Sequence, residues 1–179
     1  MDNIKNIVTG GIITLIIGGT AYNFSQEDVI NNLADDTGMT QEEATQYVND
    51  IPEEDFVTWD EMGNNFAKDS AETRGLISEI DCDNYDYEWE SATLTCVQAK
   101  NELEAMFQTE SALGLAYKKL DTEAATPDDI RQVMTYLDQL SAHYDQEVSI
   151  AFLDTVYIEE MTKTNAYNKS VLKAALESE

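Results

Sequence analysis

Ile7–Phe24 reads IVTGGIITLIIGGTAYNF, the only long stretch of the chain without a charged side chain. Its reading decides the rest, because the chain behind it is strongly acidic. Lys5 and the amino group precede the run. The first basic residue after it is Lys68, with Glu27, Asp28, Asp35, Asp36, Glu42 and Glu43 between. A short cationic flank followed by a long acidic one favours export of the downstream chain. As a helix, 18 residues would rise roughly 27 Å, enough for a thin bilayer. Three readings stay open: a signal peptide cut after Gly19-Thr20-Ala21, an uncleaved anchor that holds the chain to a membrane through Ile7–Phe24, or a helix of a soluble core. No cysteine follows the run to carry a lipid, and no glutamate follows a processing glycine as in a pilin.

With 36 acidic and 10 basic residues among 179, the formal charge is −26. That argues against nucleic-acid binding, which needs Lys and Arg to neutralise phosphates, and favours basic protein partners. Hydrophobic residues make up 42% of the chain, with nine Tyr and five Phe. That is too many for a disordered protein. Only two prolines and eight glycines occur, four of the glycines inside the apolar run, which speaks for helices over many-turned sheets. The expected fold is all-α: an N-terminal apolar helix, then an antiparallel bundle of about five to six helices. The expected divisions are residues 1–24 as signal peptide or anchor, 25–57 as a small helical hairpin, and 58–179 as the bundle.

Helix starts are marked along the chain. Ser25-Gln-Glu-Asp28 opens a short amphipathic helix that Asp35–Gly38 stops. Thr40-Gln-Glu-Glu43 and Thr58-Trp-Asp-Glu61 are capping boxes. Thr126-Pro127-Asp128-Asp129 combines a cap, a first-turn proline and acids at the positive end of the helix dipole. The Ser25–Ile51 hairpin resembles the first two helices of the HU-type DNA-bending proteins, in which a glycine-containing turn lies between similar caps. The basic residues and β-arms that bind DNA in that family are missing, so the resemblance carries no function.

Two apolar stripes follow. Trp59, Met62, Phe66, Thr73, Leu76 and Ile80 form one, with Asp69 filling its gap. Cys96, Ala99, Leu103, Met106, Glu110, Leu113, Tyr117 and Leu120 form a second with unbroken 3,4 spacing, Glu110 its one polar intruder. They should pack as an antiparallel pair, placing Cys82 and Cys96 at the same end. In an exported protein the expected result is a Cys82–Cys96 disulfide, closing about 15 residues and contributing about 3 kcal/mol. A third stripe runs from Ile130 through Tyr144 to Phe152, and either continues through Val156 and Ile158 to Met161 or breaks near Ser141. Asn165–Asn168 should interrupt it before a short last helix at Val171–Ala175.

Between the stripes lies Asp81–Glu90, DCDNYDYEWE. Its carboxylates Asp81, Asp83, Asp86, Glu88 and Glu90 are the oxygen ligands a calcium ion would need. The order departs from an EF-hand: no glycine stands sixth, and Ala92 occupies the place of the bidentate Glu. Tyr85, Tyr87 and Trp89 beside those charges suit a protein-contact surface. His143 is the one histidine, flanked by Asp138, Gln139, Gln146 and Glu147, with no nucleophile marked nearby. No cofactor motif is present. The expected function is therefore contact with a protein partner, without catalysis, in a periplasmic, secreted or outward-facing anchored protein. A membrane-associated virion or envelope component, an enzyme or lysis factor, and an inhibitor mimicking nucleic-acid charge are the rival classes.

Overall fold

The computed structural model describes residues 12–51, 58–83, 95–146 and 155–178. Its first element corrects the reading of the apolar run. Ile12–Ile17 (β1) and Thr20–Ser25 (β2) pair as an antiparallel hairpin, with no helix over these residues. The physical reason lies in the residues themselves. β1 is rich in β-branched Ile and Thr, which favour the extended backbone. Gly18 and Gly19 both take positive φ, 59° and 76°, as a two-residue hairpin turn requires. Ile13, Leu15 and Ile17 alternate inward, opposed by Phe24 and Tyr22, so one face joins the main core. On the outer face Thr14 donates a hydrogen bond to Asn23 at 2.8 Å. Cleavage after Ala21 would strip β1 from that core. No helix among the described residues is long and apolar enough to cross a membrane.

The remaining described elements are helical: α1 (Gln26–Thr37), α2 (Gln41–Asp50), α3 (Trp59–Glu79), α4 (Cys96–Leu120), α5 (Pro127–Tyr144) and α6 (Thr155–Glu177). The mostly helical fold follows the expectation, with the small sheet added to it. Reciprocal capping boxes start α1 at Ser25/Asp28, α2 at Thr40/Glu43, α3 at Thr58/Glu61 and α4 at Thr95/Gln98. At α5 the Thr126 N–H and hydroxyl both donate to Asp129, each at 2.8 Å. Gly38, at φ 72°, closes α1 in the left-handed region.

α3 and α4 form the most extensive helix contact. Tyr117 of α4 stacks between Trp59 and Phe66 of α3, with ring centroids 5.8 and 5.6 Å away. Gly63 and Gly114 let the two backbones approach closely at the same crossing. α5 returns along α4, and α6 lies across α5 and α1. The α1–α2 hairpin has its own cluster of Leu33, Ala34, Ala44 and Val48, capped by Ala166 and Tyr167 of α6. Lys169 of α6 ties the pieces by pairing with Asp36 of α1 at 3.3 Å and Asp138 of α5 at 2.7 Å.

A second correction concerns Asn165–Asn168. These residues do not interrupt a helix: α6 runs through them, and both asparagines are buried. Asparagine is a mediocre helix former, but tertiary packing overrides so small a preference.

Candidate functional site

Two places gather the chemistry-bearing residues: the closed end of the α3–α4 pair, and a polar cluster inside the bundle.

At the closed end, Cys82 and Cys96 form a disulfide with Cα atoms 5.7 Å apart. α3 ends at Glu79, Ile80 turns its side chain into the core, and Lys100 of α4 donates to the Ile80 carbonyl at 3.2 Å. The chain then leaves through Asp81, Cys82 and Asp83, all exposed, with the Asp83 N–H donating to the Asp81 carboxylate at 3.1 Å. Tyr85, Tyr87, Trp89, Asp86, Glu88 and Glu90 lie outside the described residues. Of the five carboxylates considered for calcium, Asp81 and Asp83 alone are described. No group of three His, Cys, Asp or Glu among the described residues is placed to hold a metal.

The internal cluster centres on Glu110, the polar intruder of the α4 seam. It is 2% exposed, and its Oε2 has no hydrogen-bond partner among the described residues. Burial pushes its carboxyl up to about 7; Thr73 opposes the rise, and the nearby charges of Asp69 and Glu72 add to it. A buried carboxylate flanked by like charges suffers both lost hydration and repulsion. Asp69, half-buried, is pushed up for the same reasons: burial first, then Glu72, with Lys68 opposing. From the other side come two tyrosines whose rings meet edge to face at 6.4 Å, Tyr144 at the last residue of α5 and Tyr157 in the first turn of α6. Burial drives the Tyr144 hydroxyl well above its ordinary range, with Tyr157, Glu110 and Asp69 adding. Tyr157 is pushed up to about 12, by burial first and by Asp69 next.

His143 is half-buried one residue before Tyr144, its Nε2 3.2 Å from the Thr109 hydroxyl, which itself donates to the Ala105 carbonyl at 3.0 Å. Asp138, one of its expected orienting neighbours, is instead engaged by Lys169. Glu147, another of those expected neighbours, lies outside the described residues.

The cysteine pairing expected for an exported protein, from two apolar stripes packed antiparallel, is present. The Glu110 cluster was not readable in the sequence, because Tyr144 and Tyr157 arrive from two other helices. The single signal was one acid in an otherwise apolar 3,4 stripe. A shallow groove of about 250 Å³ lies between α3 and α4, lined by Gly63, Ala67, Ser70, Gly114, Leu115 and Lys118. Leu115 on its lip is 71% exposed. No protein-family model, curated protein or solved structure matches the chain.

Proposed function

We propose that the chain is a non-catalytic, extracytoplasmic helical protein that acts by contact with a protein partner through the disulfide-closed end of α3 and α4. The observation that carries this reading is the Cys82–Cys96 bridge. Disulfides form and persist in oxidising compartments, so the bridge suggests an extracytoplasmic setting independently of any leader. The bridge also ties together the two ends of the acidic and aromatic segment Asn84–Glu90 and its flanks. A segment anchored at both ends loses less freedom on binding than an open one. With 36 acidic residues against 10 basic ones, long-range attraction selects a basic partner and repels phosphate-bearing surfaces.

The test compares the full chain with a variant carrying Tyr85→Ala, Tyr87→Ala and Trp89→Ala in pull-downs from the extracytoplasmic fraction of the source cells. The expected result is a partner that the wild type retains and the variant loses, with unchanged melting temperature. Retention of every partner by the variant removes the contact tip.

A further inference from the structure

Glu110 is buried inside the bundle, and its arrangement is costly. Among the described residues, the groups that act electrostatically with Glu110 carry either a like charge or a hydroxyl. α3 supplies Asp69, Glu72 and Thr73; α5 supplies Tyr144; α6 supplies Tyr157. Lys68 of α3 acts on Asp69, and its exposed ammonium pairs with Glu72 at 3.6 Å. His143, next to Tyr144, is directed to Thr109. Among the described residues Glu110 thus acts with two carboxylates and two phenols, and no Lys or Arg forms an ion pair with it.

We propose that Glu110 is a proton-controlled latch on the bundle: as the neutral acid it rests in the seam of α3, α4, α5 and α6, and as the carboxylate it drives the Tyr144 end of α5 and the Tyr157 end of α6 away from α3 and α4. The neutral acid costs little to bury and offers an O–H that a neighbouring hydroxyl can accept. Loss of the proton to solvent leaves an unpaired charge in a low-dielectric seam, already faced by Asp69 and Glu72. The structure relieves that charge most cheaply by admitting water. Tyr144 is the last residue of α5 and Tyr157 lies in the first turn of α6, and terminal turns open more readily than helix interiors, so water is admitted at those two turns. The bundle is accordingly tight in mildly acidic surroundings and loosened at those turns in alkaline ones.

The experiment uses the full, disulfide-bonded chain labelled with ¹³C and ¹⁵N. The carboxyl carbon of Glu110 is followed by NMR from pH 4 to 9, and amide exchange in Ser141–Tyr144 and Val156–Ile158 is measured across the same range, corrected for intrinsic rates. Glu110 is expected to titrate near 7, and those amides to open more readily by up to roughly 300-fold, the factor separating about 7 from the ordinary 4.5. Glu110→Gln, which keeps the shape without the charge, should hold protection constant with pH. Should that variant fold poorly, the wild-type titration and exchange decide alone. Titration of Glu110 near 4.5, protection that does not change with pH, or the same change in Glu110→Gln would each overturn the latch.

Discussion

Leu15 faces Tyr22 across the β1–β2 hairpin, and both side chains are buried in the main core. The hairpin is therefore part of the folded domain. A two-stranded hairpin is marginal by itself, so its stability must come from this inner face. The Trp59 indole N–H reaches across to donate to the Ile16 carbonyl at 3.4 Å, and the Gly18 turn lies against Ala125 in the α4–α5 connection.

Substitutions on opposite faces of β1 test that placement. Leu15→Ala should lower stability by about 2–5 kcal/mol, the usual range for emptying a packed leucine site. Ile12→Ala, at a residue 53% exposed, should cost well under half as much. Denaturant unfolding of the two variants measures the contrast, and equal small losses would mean that the hairpin is not packed on the core.

The glycines of α3 should respond in opposite directions. A Cβ on Gly63 would fall 2.7 Å from the Gly114 carbonyl oxygen, so Gly63→Ala must push α3 and α4 apart. The expected cost is about 1–3 kcal/mol. Gly75 has open space around its Cβ position and no positive φ, so Gly75→Ala should stabilise the protein by about 1 kcal/mol. Thermal melting of both variants tests the close crossing directly.

The unbroken 3,4 spacing from Ala99 to Leu120 was legible because each position of that seam needs only its own helix period to be placed. Capping boxes at Thr40 and Thr58 were legible for the same local reason. The hairpin was harder: isoleucine on both faces of β1 hides the alternation, and length without charge mimics a membrane span. Gly18-Gly19 between two strand-forming runs was the overlooked signal. Asn165 and Asn168 misled in another way, since burial inside α6 depends on neighbours that no local pattern reveals. Of the candidate sites, the cysteine pair followed from two stripes meeting antiparallel, whereas the surroundings of Glu110 needed the tertiary fold.

Glu110 gives stability a pH dependence with a defined sign. Its folded value is raised from 4.5 to about 7, so its contribution is fully present below pH 4.5 and is lost as pH rises through 7. Against Glu110→Gln, the wild type should lose on the order of 3 kcal/mol across that rise, between mildly acidic and mildly alkaline solution. The capping carboxylates act oppositely: hydrogen bonds from Ser25, Thr40 and Thr58 hold Asp28, Glu43 and Glu61 below their ordinary range. Their contributions are present above that range and fade as pH falls. Chemical denaturation of both proteins across the same pH range isolates the Glu110 slope as their difference.

Reduction of Cys82–Cys96 should lower stability by about 3 kcal/mol, as expected for a closed loop of about 15 residues. Loss should concentrate at the Ile80–Ala99 end of the α3–α4 pair, with the Trp59–Tyr117–Phe66 stack at the far end retained. Exchange measured with and without reductant reports both the size and the location of the effect.

Intact mass of the native protein, isolated without reductant, decides the core hairpin and the oxidising setting together. The protein should be lighter by two hydrogens than the same chain with free thiols, and it should still contain Ile12–Ile17. A protein beginning at Tyr22, or one carrying both thiols reduced in its native compartment, would contradict the core hairpin or the oxidising setting respectively.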